Sequence, residues 1–506
     1  MRDSLYHRGP DGCGAQFLDI GRVALGHRRL SIIDLSEGGA QPMTNEDGTL
    51  WITFNGEIYN YVELRAELRK HGHVFHSNSD TEVILHGYEQ WGKDVVQKLN
   101  GMFAFAIWSE TSRQLFLARD RFGIKPLYYY KDNDTFIFAS ELKAILANPR
   151  IKHTLDADAV SDFFVYRFIP SPRSIWKEIK KLPPAHTLLW KGNGNPEIQQ
   201  FWQLPFSDRA ETEECAREHC DALLKEAVRS HLVSDVPVGV FLSGGYDSGA
   251  VTHYMHALKY PIESFSIGFK DWEKSEHLTA REVAKYYGTT HHEQILEEED
   301  LMQLENLAYY YDEPLGGSSF LPTYYVSQLA AKNVKVVLSG DGGDEVFGGY
   351  KWHAAIYQQY HQSNVKQSVS KILKGKQNFL LSGYFDMMSW AGFHYKDMPQ
   401  LLGDWGTGDF ARKDDVWFYK SALQHQYGAV KAFQLLDFHS FLPEVVLTKV
   451  DRASMAHSLE VRVPLLDHRL AEYTMGLSQS TLFQYGKNKK ILNNVLKNKL
   501  PESVLS

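Results

Sequence analysis

The sequence predicts an α+β sandwich over residues 1–195 and, after a linker, a doubly wound parallel α/β domain over residues 205–506. Three observations support this reading. The first part carries short apolar runs bounded by turn residues, with two amphipathic helical segments among them, which is the pattern of a layered α+β unit. The second part alternates β-branched apolar runs with helical periods, the pattern of a parallel sheet covered on both faces. Two of those runs then open into Ser-Gly-rich turns bearing aspartates, at the strand ends where such sheets collect their ligands. A length of 506 residues accommodates two or more domains.

In chain order, Tyr6-His7-Arg8-Gly9-Pro10-Asp11-Gly12 is a loop of turn-forming residues. Gly21 to Leu35 alternates as a strand, and Trp51-Ile52-Thr53-Phe54 is a short strand that stops at Asn55-Gly56-Glu57, Asn-Gly being the strongest tight-turn dipeptide. Val62 to His71 and Asp80 to Trp91 are helices by periodicity, while Phe103–Trp108, Gln114–Ala118 and Leu127–Tyr130 are strands in hairpin order. Arg29, Asn55, Gly56 and Asp80 are candidates for gripping an amino acid. The arginine would hold an α-carboxylate, the aspartate an α-ammonium, and the Asn-Gly donors an oxyanion. A buried Arg–Asp pair also serves structure alone, and spacing does not separate the two readings.

Breakers at Pro170-Ser171-Pro172 and Leu182-Pro183-Pro184, and a turn at Gly192-Asn193-Gly194-Asn195-Pro196, place the linker at about residues 190–210. Glu213 to Val233 is a helix leading into a buried strand at Val236–Val240, and Gly249–Leu258 is the helix that follows. Between them lies Ser243-Gly244-Gly245-Tyr246-Asp247-Ser248. It is neither a Walker A loop nor a G-x-G-x-x-G fingerprint. A glycine turn entering a helix still makes an anion cradle, from backbone N–H groups and the helix dipole, with Ser243 and Ser248 as further donors. Its aspartate without a lysine suits pyrophosphate held through Mg²⁺. Strands follow at Ser264–Phe269, His291–Leu296 and Val334–Leu338, with a helix Glu276–Tyr287 closed by Gly288. The last strand opens into Ser339-Gly340-Asp341-Gly342-Gly343-Asp344. Asp247 and Asp344 are the natural pair of Mg²⁺ ligands, and Ile267, at the end of its strand, would meet the nucleobase. His291 and His292 have no third ligand in view and are polar strand residues.

Hydrophobic content of 43% and charged content of 23% are those of an ordinary globular protein, and a formal net charge of −8 argues against nonspecific nucleic-acid binding. No apolar run is long enough to span a bilayer, and the first residues do not form a signal peptide. Cys13, Cys215 and Cys220 are too few for a disulfide framework and wrongly spaced for zinc. Cys215 and Cys220 are expected unpaired on a helix in a reducing cytoplasm, and Cys13 as a small, partly buried loop thiol.

His7-Arg8-Gly9-Pro10-Asp11, Arg29-Leu30-Ser31-Ile32, Asn55-Gly56-Glu57-Ile58-Tyr59-Asn60, Ser79-Asp80-Thr81-Glu82, Gly101-Met102-Phe103-Ala104 and Arg119–Leu127 resemble the glutaminase domain of class II glutamine amidotransferases, and more narrowly that of glutamine-hydrolysing asparagine synthetases. The resemblance continues through Ser243–Ser248, Leu338–Tyr350, Lys449–Met455, Leu459–Asp467 and Gly486–Leu492, and so covers nearly the whole chain. It implies an Ntn-hydrolase sandwich followed by a PP-loop ATP-pyrophosphatase domain. By the same resemblance Arg29, Asn55, Gly56, Glu57 and Asp80 bind glutamine, with Asn55 and Gly56 in the oxyanion hole. Ser243, Gly244, Gly245, Asp247, Ser248, Ile267, Ser339 and Gly340 bind ATP. Asp341 takes part in forming β-aspartyl-AMP, and Lys489, with Lys487 close behind, stabilises the adenylating transition state. Lys449–Met455 and Leu459–Asp467 fall in a C-terminal helical signature.

One departure stands out. The family's nucleophile is a cysteine at the mature N-terminus. This chain starts on Met1-Arg2, almost on the His-Arg-Gly-Pro-Asp motif, so both ends are expected to be clipped and the chain as given to depend on ammonia. The implied function is ATP-dependent conversion of aspartate to asparagine, with glutamine or ammonia as nitrogen donor and a homodimer as the expected assembly. Amidation of another carboxylate is the alternative, and a catalytically silent fragment the third reading.

Overall fold

The structure, a computed structural model, describes residues 1–205, 209, 211–270, 275–297, 304–361, 376–388, 392–403, 414–423, 428–484 and 488–505. The first domain is built on a six-stranded antiparallel sheet. Its strands are β3 (Met43–Thr44), β4 (Leu50–Ile58), β5 (Gly101–Ser109), β6 (Gln114–Arg119), β10 (His186–Trp190) and β11 (Glu197–Gln200), in the order β11-β10-β6-β5-β4-β3. Helices α1 (Tyr61–Lys70) and α2 (Asp80–Trp91) cover one face, where Ile52, Phe54, Leu64, Leu68, Ile84 and Phe105 share a core. The other face carries a divided layer. One piece is the hairpin β1 (Gly12–Leu18) with β2 (Val23–Arg29); the other is β7 (Tyr128–Lys131), β8 (Phe136–Ala139) and β9 (Ile179–Lys181) in the order β8-β7-β9. Leu18 and Leu25 from the first piece and Tyr129 and Leu182 from the second pack on Ala106 and Leu117 of the central sheet. These layers are the expected sandwich.

Several local expectations change. The expected Tyr6–Gly12 loop begins inside a 3₁₀ turn, Arg2–Arg8, and its last residue opens β1. Cys13 is exposed and sits in β1, paired in register with Arg28. Asn55-Gly56 is not a turn: it lies inside β4, with Gly56 opposite Phe103 of β5. Gly56 has φ +148, and a Cβ there would stand 2.0 Å from the Met102 carbonyl oxygen, so the close approach of the two strands requires glycine. Leu127–Tyr130 does not continue the hairpin series, because β7 pairs in the three-stranded sheet.

The second domain is a five-stranded, all-parallel sheet. Its strands are β12 (Val238–Phe241), β13 (Glu263–Phe269), β14 (Thr290–Leu296), β15 (Val336–Leu338) and β16 (Glu460–Arg462), in the order β14-β13-β12-β15-β16. Val238, Val240, Ala250 and Leu338 bury one face; Phe265, Ala330, Val337 and Val461 bury the other. The helix after β12 starts earlier than expected, at Tyr246, and runs to Ala257. The helix His277–Tyr287 ends where expected, on Gly288 in the left-handed conformation. Thr448–Met455 is helical, but Glu460–Arg462 is the edge strand β16 and not part of a helical signature. Cys215 and Cys220 are free on the helix Glu213–His231, and among the described residues no helix is long and apolar enough to cross a membrane.

Candidate functional sites

Two sites follow from this architecture. The first opens beside β4, in a cavity of about 700 Å³ lined by residues of β2, β4 and β8 and by the start of α2. Arg29, Asn55, Gly56, Glu57 and Asp80 all line it. Arg29 is the last residue of β2, and its two Nη atoms donate to the carbonyls of Ile33, Asp34 and Ser36. Gly39 keeps that position open, since a Cβ there would fall 2.1 Å from Arg29 Nη2. Asn55 Nδ2 is buried with no hydrogen-bond partner, a donor left free for an acceptor in the cavity. Asp80 is the first residue of α2, with Ser79 as the cap accepting from the Thr81 N–H. Asp80 Oδ2 accepts from the Ile58 N–H at 2.9 Å, yet burial pushes its carboxyl up to about 6. Burial likewise holds Glu57 well above the usual carboxylate range, the Arg462 cation opposing that rise. Cys13 is not among the residues around this cavity.

The second site forms where the strand order reverses. The chain runs from β12 outward to β13 and β14, then returns to β15 on the other side of β12. The carboxyl ends of β12 and β15 therefore lie side by side, the crevice in which open α/β sheets bind ligands. Both Ser-Gly turns emerge there. Ser243 and Ser248 are linked through their hydroxyls at 3.0 Å, and the Gly245 N–H donates to Ser243 Oγ at 3.3 Å. Gly244 has φ +83, open to glycine. The second turn presses against the first: a Cβ on Gly340 would meet the Ser248 nitrogen at 2.7 Å, and one on Gly343 would meet Asp247 Cγ at 2.4 Å. Ser339 is buried, donates its hydroxyl to Asp341, and donates its N–H to the Arg462 carbonyl at 2.8 Å. Ile267 is half-buried in β13, against the cluster of Leu296, Tyr311, Tyr324 and Ala453.

Lys489 caps the short helix Lys490–Leu496 with φ +53 and reaches into the crevice, pairing with Asp247 and, at 2.8 Å, with Asp344 Oδ1. Burial works against the ammonium, but the two carboxylates outweigh it and raise its pKa. Burial and the neighbouring Asp344 push Asp247 up to about 6, against the pull of Lys489. Asp247 Oδ1 is buried without a hydrogen-bond partner. An orphaned carboxylate oxygen next to a second carboxylate is the hard-oxygen donor set that Mg²⁺ takes, so the residues fit that ion. Gly486 and Lys487 lie outside the described residues.

Three further groups at these sites were not singled out from the sequence. Lys449 Nζ stands 3.7 Å from Asp341 Oδ1. Glu345 is buried, accepts from the Tyr350 hydroxyl at 2.8 Å, and is held well above the usual carboxylate range by burial. Arg462 connects the two sites: its side chain meets Glu57 at 3.3 Å and Glu460 at 2.8 Å, while its carbonyl receives Ser339. The detectable signal was a charged residue inside an otherwise apolar run, Val461-Arg462-Val463-Pro464-Leu465. Other buried pairs also join the domains, Arg8 with Asp451 at 2.8 Å and Arg452 with Glu141 at 2.8 Å.

A family model described as a glutamine amidotransferase domain matches residues 1–202, and one described as asparagine synthase matches residues 219–506. An asparagine synthetase (glutamine-hydrolysing) 1 of Bacillus subtilis is 34% identical over 526 residues, covering 100% of this chain and 82% of that one. The asparagine synthetase 3 of the same organism is 34% identical over 533 residues, with the same coverage. A putative asparagine synthetase 2 of Methanocaldococcus jannaschii is 41% identical over 498 residues, covering 90% of this chain and 94% of that one. With both sites in place and relatives matching from end to end, the chain belongs to the glutamine-hydrolysing asparagine synthetase family.

Proposed function

We propose that the chain is a carbon–nitrogen ligase that converts aspartate to asparagine at the expense of ATP, with glutamine as the nitrogen donor. The observation that carries this reading is the pairing of two Ser-Gly turns at the β12/β15 switch point around Asp247, Asp344 and Lys489. In this reading the N–H groups of the first turn and the hydroxyls of Ser243 and Ser248 receive the leaving pyrophosphate, and Ile267 lies against the base. Asp247 and Asp344 would hold Mg²⁺, whose charge would offset that of the phosphates. The aspartate β-carboxylate attacks the α-phosphorus, the bond to the β-phosphate oxygen breaks, and pyrophosphate departs with that electron pair. Lys489 places a fixed positive charge where negative charge develops on the α-phosphate. Asp341, held by Ser339 and facing Lys449, would in this reading take part in forming the acyl-adenylate. Ammonia then adds to the acyl carbon, loses a proton and displaces AMP.

The cavity beside β4 serves glutamine in the same reading. Arg29 answers the α-carboxylate, Asp80 the α-ammonium, Asn55 Nδ2 and the Gly56 N–H the amide oxygen as it becomes an oxyanion, and Glu57 completes the pocket. Three free cysteines suit a reducing cytoplasm, and sedimentation of the purified chain tests the homodimer. The decisive assay is pyrophosphate release with aspartate, ammonium and Mg·ATP. Asp247→Ala and Asp344→Ala are each expected to abolish it. Near-normal release in both variants would remove the assignment of the crevice.

A further inference from the structure

A second cluster of ligating side chains lies on the outer side of the first domain. It draws on three segments: Glu46 in the turn between β3 and β4, His73 just after α1, and His86 with Glu89 one turn apart on α2. Glu46, His73 and His86 each offer one ligand atom, and the three atoms lie within 4.8 Å of one another. His86 Nδ1 is 3.5 Å from Glu46 Oε2 and 2.8 Å from Glu89 Oε2, and His73 Nδ1 is 3.7 Å from the same Glu89 oxygen. Metal–ligand bonds of about 2.0–2.1 Å in a tetrahedron separate neighbouring ligand atoms by about 3.4 Å. The observed spacings bracket that value.

The outer atoms of Glu46, Glu89 and His73 are engaged elsewhere, while the buried His86 Nε2 has no hydrogen-bond partner and only a carboxylate near it. Glu46 Oε1 accepts from the Val74 N–H at 3.2 Å, and Glu89 Oε1 from Asn45 Nδ2 at 2.7 Å. His73 Nε2 faces Gln90 Oε1 at 3.2 Å. His86 is buried, and its Nε2 stands 3.5 Å from Glu82 Oε1, a carboxylate itself held by the N–H groups of His76 and Ser77. The inner atoms of Glu46, His73 and His86 converge, and Glu89 Oε2 lies beside both imidazoles. Anchored outer atoms behind converging inner ones, as at Glu46, Glu89 and His73, are the arrangement that orients metal ligands. A helix held together by an ion pair alone needs only one histidine and one carboxylate. It does not need a second imidazole and a third segment brought to the same point.

We propose that Glu46, His73, His86 and Glu89 bind one divalent transition ion of the zinc type, tying the β3–β4 turn and the segment after α1 to α2. On binding, the proton that His86 Nδ1 shares with Glu89 passes to solvent, and the ion takes its place between nitrogen and carboxylate. The site is separate from the Asp247–Asp344 pair, whose all-oxygen set favours Mg²⁺.

The test uses the full chain, stripped with EDTA and titrated with Co²⁺ as a spectroscopic probe. The expected result is one equivalent giving visible bands of tetrahedral intensity, displaced by Zn²⁺ and retained in the Asp247→Ala/Asp344→Ala double variant. His73→Gln and Glu46→Gln, both at the surface end of the cluster, should lose the bands while keeping the parent's circular dichroism. Gln90→Leu, which touches only the outer atom of His73, should weaken binding about 10–100-fold. Weak octahedral bands only, bands that persist in both single variants, or bands lost in the Asp247→Ala/Asp344→Ala variant would overturn the proposal. Zn²⁺ should also raise the thermal midpoint of the parent and not of His73→Gln; an equal rise in both would count against the site.

Discussion

Replacing Arg462 by methionine removes the cation on which the two domains converge. Arg462 is fully buried and serves four acceptors: Glu57 at 3.3 Å, Glu460 at 2.8 Å, and the carbonyls of His231 at 2.9 Å and Val233 at 2.6 Å. Methionine fills much of the same volume, so the cavity contribution is small and the electrostatic one dominates. What remains is two buried carboxylates with Lys125, 3.6 Å from Glu460, as the nearest cation. Breaking a buried ion pair from one side costs about 3–5 kcal/mol, because the orphaned charge stays in the interior. Burial already holds Glu57 above the usual carboxylate range, so proton uptake once the Arg462 cation is gone relieves part of the charge and places the expected cost at the lower end of that range. For a domain of this size each kcal/mol moves the midpoint by about 2–4 °C, giving an expected fall of roughly 6–12 °C. Differential scanning calorimetry at pH 7.5 reads this directly.

The functional half of the prediction is asymmetric. Ser339 is held by the backbone carbonyl of Arg462, which the substitution spares, whereas Glu57 loses its side-chain partner. Pyrophosphate release driven by ammonium at 20 °C should therefore stay within about threefold of the parent, while glutamine affinity, read by calorimetric titration, falls further. A double-mutant cycle with Glu57→Gln should show a coupling of about 0.5–3 kcal/mol. A midpoint within 2 °C of the parent, or strict additivity with Glu57→Gln, would refute the reasoning (both thresholds taken from the usual scatter of such measurements, about 0.3–0.5 kcal/mol for independent sites).

Three further outcomes are expected. Asp341→Ala should lose positional isotope exchange in ATP with aspartate present while retaining nucleotide binding within about tenfold; normal exchange would exclude Asp341 from adenylate formation. Asp80, pushed up to about 6 by burial, is protonated below that pH in the free protein and cannot pair with an α-ammonium there, so glutamine binding should tighten as pH rises through about 6; calorimetric titration from pH 5 to 8 reads the slope, and an identical slope in Asp80→Asn would assign it to another group. Cys13, exposed in β1 and outside the cavity, is not expected to be a glutaminase nucleophile, so any glutamate release by the chain should change less than about twofold in Cys13→Ser; loss of such release in the variant would make it the nucleophile.

Much of this fold is legible from local pattern. The helix Asp80–Trp91 was expected with its observed bounds, because the Ser79 cap, the acidic first turn and the apolar period all lie within one segment. The two Ser-Gly turns declared themselves by following β-branched runs, and the glycine closing the helix at Gly288 did so by position. These features are decided by contacts between near neighbours, which a single sequence records.

Tertiary structure decided the rest. Asn55-Gly56 has the chemistry of a turn, but pairing with β5 outweighs that preference, and the glycine is used to bring two strands close. Glu460-Val461-Arg462 was expected within a helical signature; it is a buried strand instead, and its charges find Lys125 and Glu57, hundreds of residues away. The adjacency of β12 and β15, which makes one crevice of two turns, follows from strand order, and no local period encodes strand order. The convergence of His73 with His86 likewise depends on how α1 and α2 pack. Residue types and local periods determined which groups are present and where most helices and strands lie. Folding determined which groups meet, because burying a charge is tolerated only where a distant partner arrives to share it.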